Sequence, residues 1–265
     1  MKILILPPYR RTKEIPKEGR LSELTLLEKM RKRGQLEGIE TDIDEGYFID
    51  DLPLEPMTER RDEEFLAKIT LANVIKVKEY CETGKYDAIV CVGTMGMGFL
   101  AARMIAKIPV VTAVHSGFYV ASFIGERFTL IEATDAQALI ARHWAQVYGL
   151  NNKLASVRYV AHSSTHISKA GRSEERSKVV DGIVTCCIKA IEDDRADTLI
   201  LGCTPLQLFE DEVRERLDES GYDEIPIVCE LAAALEMAKV MVNMQLTQAP
   251  RAYPSDALKA KPHFR

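Results

Sequence analysis

The sequence lacks the charge pattern of a protein that binds nucleic acid or an anionic membrane. Its 265 residues include 35 Lys and Arg against 40 Asp and Glu, which gives a net charge of -5. A slight acidic excess provides no basic surface for phosphate groups. We therefore expect neither nucleic acid nor a membrane among its partners.

Long hydrophobic runs are also absent. No segment approaches the ~20 consecutive apolar residues that a membrane-spanning helix requires. The apolar N-terminal run Lys2–Leu6 stops at Pro7 and is shorter than the core of a signal peptide. We interpret this run as a first buried strand and predict a cytoplasmic protein.

The cysteines lack the spacing of a zinc site or a thioredoxin-like site. No two of them form a CxxC pair, so neither site is expected. In a reducing compartment they are free thiols, most of them buried and a minority reactive. The six are Cys81, Cys91, Cys186, Cys187, Cys203 and Cys229.

Metal and nucleotide motifs are incomplete. His162 and His166 have the i,i+4 spacing of two metal ligands, but the Ser and Thr between them favour a loop, and a third ligand is missing. The glycine-rich segment Gly93–Gly98 lacks both the Lys-Ser/Thr ending of a P-loop and the GxGxxG order. We expect no metal, and nucleotide binding is the less favoured interpretation of this loop.

Apolar runs alternate with stretches of helical periodicity along the whole chain. Such alternation predicts an α/β fold with parallel sheets. The polar tail Thr247–Arg265 is expected to be an extended surface segment. The predicted strands are Ile3–Leu6, Glu40–Asp44, Asp87–Val92, Ile108–Val114, Arg127–Ala133, Ser156–Val160, Asp197–Cys203 and Ile225–Cys229. The predicted helices are Ser22–Leu36, Glu63–Cys81, Phe99–Ile105, Gln137–Tyr148, Ser173–Asp193 and Leu231–Leu246.

An internal similarity predicts two related lobes. Tyr86–Thr94 and Arg195–Thr204 are both apolar strands that end in a small residue next to Thr. We expect two pseudo-symmetric lobes, each a parallel sheet flanked by helices. The first would comprise 1–113 plus 224–265 and the second 114–223. Open parallel sheets bind ligands beyond the carboxyl ends of their strands, so the active site is expected in the cleft between the lobes.

Cys203 is the sharpest chemical signal. It follows a buried strand and Gly202, and Thr204 and Pro205 come next. Backbone N–H groups of the following turn could stabilise a thiolate here, and Thr204 could bind a substrate oxygen. From the spacing alone, an inert buried cysteine at the end of a strand is the alternative.

The motif Leu201–Leu206, Leu-Gly-Cys-Thr-Pro-Leu, resembles the second catalytic motif of aspartate and glutamate racemases. Ala196–Cys203 also resembles the matching strand of hydantoin racemases. Other segments resemble this superfamily in the same order, over nearly the whole chain: Ile108–Val111, Arg127–Ile131 with Thr134, Ile225–Val228 with Ala232–Ala234, and Arg251–Tyr253. On these motifs the chain is identified as a member of the aspartate/glutamate/hydantoin racemase superfamily.

The resemblance implies a cofactor-independent racemase. Two cysteines flank the substrate: one removes the α-proton as a thiolate, and the other delivers a proton to the opposite face. Backbone amides and hydroxyls hold the carboxylate and the enolate-like intermediate. No metal or pyridoxal phosphate is used. The resemblance also implies a small carboxylate or hydantoin-like substrate and a homo-oligomer.

The sequence departs from the superfamily at the first catalytic cysteine. By the register of the strand, that position is Gly93, followed by Thr94. Cys91 lies two residues earlier, on the same face but about 6–7 Å further back. A racemase would then need Cys91, His115 or Glu230 in place of the lost base.

A Gly-Thr pair in the first loop with a lone cysteine in the second loop is similar to arylmalonate decarboxylase, in the same superfamily. Loss of CO₂ replaces the need for a base, so one acid is sufficient. Thr94 and Thr204 suit its carboxylate pocket, whereas Met95 departs from the hydroxyl residue expected there. A lyase acting on a small substituted malonate is therefore one alternative, and a non-catalytic ligand-binding relative is another.

Further residues are candidates for contacts with the substrate. His115 and Ser116 follow a strand and could line the cleft, although a lone His is more often structural. Glu230 follows the last strand and could act as a base or bind an amine, or simply lie at the start of a helix. Tyr9 and Arg10 lie in a loop that helps bind substrate in this superfamily. The arginine could pair with a carboxylate or be solvated surface charge.

Overall fold

Two parallel four-stranded sheets form the framework of the protein. This computed structural model describes residues 1–7, 21–44, 63–93, 96, 98–162, 166–168 and 175–264. The first sheet has the order β2-β1-β3-β4, with β1 Lys2–Leu6, β2 Glu40–Ile43, β3 Ala88–Cys91 and β4 Val110–Thr112. The second has the order β6-β5-β7-β8, with β5 Phe128–Glu132, β6 Leu154–Tyr159, β7 Thr198–Leu201 and β8 Ile227–Cys229.

Helices connect the strands in βαβ crossovers, because parallel neighbours require a long return path. Around the first sheet these are α1 Leu21–Lys32, α2 Glu63–Thr83 and α3 Phe99–Ile105. Around the second they are α5 Asp135–Val147, α6 Arg176–Glu192 and α7 Glu210–Glu219, with a 3-10 helix at Thr204–Phe209. The predicted α/β fold with two parallel sheets is confirmed.

Two helices pass from one sheet to the other. Helix α4, Ala113–Ile124, follows β4 and leads to β5, and helix α8, Glu230–Asn243, follows β8 and packs on β3 and β4. The two helices also pack extensively on each other. One hydrophobic cluster accordingly includes Ile5 of the first sheet and Leu201 of the second. The two halves therefore share part of their core.

Helix α4 was missed in the sequence, where Ile108–Val114 was expected to be a strand. The strand ends at Thr112, whose side chain accepts a hydrogen bond from the backbone N–H of His115 (3.2 Å) and caps the helix. The helix lies between the two sheets and against α8, so apolar residues occur on several of its sides. A helix of this kind lacks the amphipathic period on which sequence prediction relies.

The position of β8 also differs from expectation. A boundary at 224 would assign this strand to the first lobe, but β8 pairs with β7 at the edge of the second sheet. The chain therefore leaves the second sheet at Glu230, where α8 begins. The similarity of this segment to the superfamily does not show which of the two sheets β8 joins.

The C-terminal tail is anchored by one buried amide. Gln248 accepts a hydrogen bond from the backbone N–H of Val110 (3.2 Å) through Oε1. Its Nε2 donates to the carbonyls of Ala106 (2.6 Å) and Ile108 (3.1 Å). The tail also carries a short helix, α9 Asp256–Lys259, where an extended segment was expected.

All six cysteines are free thiols. In the part of the chain that the structure describes, the helices are too short or too polar to cross a membrane.

We predict that Gln248→Ala lowers the free energy of unfolding by about 1–3 kcal/mol, because it leaves buried backbone groups beside β4 without their partner. Chemical denaturation would measure the loss. Thr247→Ala, at the exposed neighbouring position, is the control and should change stability by less than about 0.5 kcal/mol. Equal effects of the two changes would show that the tail is not anchored in this way.

Candidate active site

Cys203 lies where β7 ends and the 3-10 helix begins. Gly202 follows the strand, Cys203 caps the helix, and the Cys203 carbonyl accepts a hydrogen bond from the backbone N–H of Leu206 (2.8 Å). Its residue surface is 4% exposed and that of Thr204 is 7% exposed. The structure thus places the sequence-predicted thiol at a strand exit, before a helical turn, and in a buried setting.

Gln137 is the polar side chain next to this thiol. Its Nε2 lies 3.9 Å from the Sγ of Cys203. Gln137 belongs to the first turn of α5, and its backbone N–H donates to the Thr134 hydroxyl that caps the helix (3.4 Å). An amide donor and the positive end of a helix both favour a thiolate.

Gln137 was not among the sequence-based candidates. The spacing Thr134-x-x-Gln137 is that of a capping box, which could have placed this side chain at the start of a helix. Only the tertiary structure could show that the helix starts beside Cys203.

A second buried amide connects the loop that carries Cys203 to α8. Gln207 of the 3-10 helix donates from Nε2 to the Gly202 carbonyl (2.7 Å) and accepts from the backbone N–H of Leu231 (3.2 Å). It therefore holds the residue before Cys203 against the start of the helix that returns to the first sheet. Sequence reasoning missed Gln207 as well.

Two glutamates lie buried at the same edge of the second sheet. Glu132 is the last residue of β5 and Glu230 the first of α8, and they are 0% and 1% exposed. A Cβ on Gly202 would lie 2.5 Å from Oε1 of Glu132, so this carboxyl group lies directly against the glycine before Cys203. Glu132 is a third site residue that sequence reasoning missed.

The pKa of the Glu230 carboxyl is raised well above its usual value, first by burial and then by the nearby charge of Glu132. Within the described part of the chain, Oε1 of Glu230 has no hydrogen-bond partner. A neutral Glu230 is poorly suited to bind an amine as an ion pair. Its sequence-predicted role as base or amine ligand remains a prediction.

The first loop begins at Gly93 in the left-handed region of backbone space, with φ of 93°. L side chains rarely adopt this conformation, so a cysteine at this position would be strained. Thr94 and Met95, the other candidates in this loop, lie outside the described residues. Tyr9 and Arg10 also lie outside them.

Cys91, the proposed substitute for the first cysteine, packs on another side of the first sheet. It belongs to a hydrophobic cluster with Phe99 and Ala102 of α3, whereas its neighbour Val92 belongs to the cluster that includes Cys203. Burial raises the pKa of the Cys91 thiol to about 12. Both observations argue against Cys91 as the second acid or base.

His115 is part of an aromatic cluster. Its ring stacks on Tyr148 with a centroid separation of 3.9 Å, and the edges of Phe99 and Tyr119 lie nearby. Burial, with a smaller contribution from the positive charge of Arg103, lowers the pKa of His115 to about 4, so it is neutral at pH 7. Ser116, the next residue of α4, is buried. The packing of His115 is that expected of a structural histidine and not of a residue that carries a proton to the substrate.

The same cluster connects the first loop to the second lobe. Trp144 of α5 stacks on Tyr148, and a Cβ on Gly96 would lie 2.4 Å from Cζ2 of the Trp144 ring. Gly96 also has φ of 59°. Gly96, in the loop after β3, therefore lies directly against an aromatic ring of the second lobe.

His162 and His166 stack with centroids 4.7 Å apart, and Nε2 of His166 lies 3.7 Å from a carboxylate oxygen of Glu175. Across the described ranges, no three His, Cys, Asp or Glu side chains are arranged to hold a metal ion.

We predict that Gly96→Ala costs about 1–3 kcal/mol more stability than Gly149→Ala. Both residues have left-handed backbones, but an added Cβ meets Trp144 at Gly96 and nothing within 4 Å at Gly149. Denaturation would compare the two. Trp144 is the single tryptophan, so its emission should shift only in the Gly96 variant. Identical behaviour of the two variants would refute the contact.

The sequence is similar to those of known racemases. Hydantoin racemase from Pseudomonas sp. (strain NS671) is 21% identical over 176 residues, which are 66% of this chain and 66% of that protein. The match thus spans slightly less than two thirds of the relative's own length.

Solved structures share the fold. Allantoin racemase from Klebsiella pneumoniae superposes with a TM-score of 0.71 at 16% identity, over 94% of this chain and 90% of that one. A glycine-to-cysteine variant of arylmalonate decarboxylase gives a TM-score of 0.51 at 14% identity, over 92% and 94%. At this identity the likeness concerns the architecture alone.

The family model described as Asp/Glu/Hydantoin racemase matches residues 11–238, which is most of the chain. The matched range includes the whole second sheet, strands β2, β3 and β4 of the first sheet, the first loop and the segment that carries Cys203. The protein belongs to the Asp/Glu/hydantoin racemase family.

Proposed function

We propose that the protein is a cofactor-independent enzyme in which Cys203 transfers a proton at the carbon next to a carboxyl or carbonyl group. The reaction type would be amino-acid or hydantoin racemisation, and the substrate a small carboxylate or hydantoin-like molecule. The contact between Cys203 and Gln137 at the exit of β7 carries the proposal.

The surroundings of Cys203 suit a thiolate. The Gln137 amide can donate to the sulfur, and the first turns of α5 and of the 3-10 helix begin beside it. These groups stabilise negative charge without introducing a full positive charge that would hold the thiolate permanently. A thiol whose pKa approaches the working pH can both accept and return a proton.

The intermediate requires donors for its oxygen atoms. Removal of an α-proton places negative charge on the carboxyl or carbonyl oxygens, and fixed donors aimed at them lower the barrier. The Thr204 hydroxyl, next to the thiol, is one proposed donor, and Thr94 with the backbone around Gly93 supplies the others. Loss of one such donor typically raises the barrier by ~2.7–4 kcal/mol.

A one-thiol decarboxylase is the second candidate, because none of the candidate side chains among the described residues replaces a cysteine at Gly93. Cys91 packs on another face, His115 is stacked and neutral, and Glu230 lies in the same lobe as Cys203. In this reaction the C–C bond breaks and CO₂ leaves. The electron pair of the broken C–C bond forms an enediolate, and the Cys203 thiol protonates its α-carbon from one side. The substrate would be a small substituted malonate.

We predict that Cys203→Ala lowers turnover by about 10²–10⁴-fold or more while the melting temperature changes little. Cys81→Ala removes a thiol from α2 and serves as the matched control, with activity retained. Optical rotation with a panel of hydantoins and amino acids, and CO₂ release with substituted malonates, would provide the assays. Full activity of the Cys203 variant would rule out the proposed role.

Deuterium incorporation separates the two reactions. In D₂O, racemisation should label the α-carbon of the recovered substrate pool, since the proton is removed and replaced. Decarboxylation should label only the product, because the bond that breaks is the one to the departing carboxylate, and the solvent-derived proton takes its place. Mass spectrometry of both pools at partial conversion decides between them, and a folded protein inactive on every member of the panel would favour a ligand-binding relative.

A further inference from the structure

Glu132 and Glu230 lie on opposite sides of the glycine that precedes Cys203. We infer that they form a buried acid pair, in which Glu230 keeps its proton and donates it toward Glu132, and that this pair positions the Gly202–Cys203 peptide. Its members are positioning residues, since they act through the loop rather than on the substrate. The link to catalysis rests on the function proposed above, whereas the pair itself does not.

The strand register brings the two carboxyl groups together. Leu130, Ile200 and Val228 are aligned partners on β5, β7 and β8, and all three belong to one hydrophobic cluster. Side chains two residues further along point to the same face, which makes the next row Glu132, Gly202 and Glu230.

The glycine in the middle makes room for the pair. Neighbouring strands lie about 4.8 Å apart, so the backbones of the two glutamates are separated by about 10 Å. Gly202 contributes no side chain between them, and Oε1 of Glu132 occupies part of the space that a Cβ would fill. Two glutamate side chains that lean toward each other can span the remaining gap.

Helix α4 packs on the Glu230 side chain and on Ile200 of β7. A Cβ on Gly117 would lie 3.0 Å from Cγ of Glu230 and 3.4 Å from Cγ2 of Ile200. The 3-10 helix faces the start of α8 with Gln207, whose amide is bonded to Gly202 and Leu231. Among the described groups, the charge that acts on Glu230 is that of Glu132.

Two carboxylates in such a site cannot both be ionised at neutral pH. Burial penalises each charge, and the repulsion between them adds to that penalty, so one proton remains on the pair. Glu230 Oε1 has no hydrogen-bond partner in the described part of the chain, whereas a protonated Glu230 can donate to an oxygen of Glu132. The raised pKa of Glu230 agrees with this assignment.

The proton also matters for Cys203. Loss of the proton would place a second negative charge beside the loop that carries the thiol, and like charges raise the pKa of a thiol. It would also push the carboxyl groups apart at Gly202. Both effects reduce the fraction of active thiolate, so activity should decline when the pair ionises.

Infrared spectroscopy tests the pair without any substrate. The wild-type protein at pH 7 should show the carbonyl band of a neutral carboxylic acid, and Glu230→Gln should lack it. Glu236→Gln, at an exposed position on the same helix, should keep the band. A band that survives in the Glu230 variant, or is missing from the wild type, overturns the inference.

The pH dependence of stability gives a second, independent readout. The folded state retains a proton that the unfolded state releases above the usual glutamate pKa. The unfolding constant should therefore rise by up to tenfold per pH unit from that pKa up to the raised one. Glu230→Gln should flatten this rise. If that variant does not fold, Glu132→Gln serves instead, because it removes the repelling charge, lowers the pKa of Glu230 in the folded state and should end the rise at a lower pH. An unchanged profile in the variant that folds contradicts the pair.

Activity completes the test. Since a neutral amide mimics a protonated carboxyl group and cannot ionise, Glu230→Gln should lose the alkaline decline of the wild type, measured relative to its own turnover near pH 7. An alkaline decline identical to wild type would refute the positioning role. Inactivity of the wild type on every substrate, with the infrared band present, would instead contradict the proposed function and leave the acid pair established.

Discussion

The parallel pairing of β5, β7 and β8 is the constraint on which the site depends. Because these strands run in the same direction and in register, their carboxyl ends meet at one edge of the second sheet. Glu132, Cys203 and Glu230 come from distant parts of the chain, yet each lies just at or beyond the end of its strand. The backbone hydrogen bonds of the sheet thus bring these three residues together.

Two crossing helices then connect this edge to the first sheet. Helix α4 enters the second half and helix α8 leaves it, and their mutual packing fixes how the halves meet. The contact between Gly96 and Trp144 adds a second connection, between the first loop and α5.

The chemistry follows from the contrast between the two strand exits. At one, Cys203 has an amide donor and the beginnings of two helices beside it; at the other, Gly93 contributes only backbone. Proton transfer by one thiol is compatible with both proposed reactions, racemisation and decarboxylation. The group that completes a racemase would have to come from a side chain facing Cys203 from the first lobe.

The sequence alone determined the alternation of strands and helices and the place of Cys203 at a strand exit, because apolar runs and local turns are encoded by neighbouring residues. The resemblance of ordered motifs identified the family. Tertiary structure alone decided that Ile227–Cys229 extends the second sheet and that Gln137 and Glu132 reach the loop that carries Cys203. It also decided that Cys91 faces away from Cys203's cluster. Such relations depend on contacts between residues far apart in the chain, which local patterns do not record.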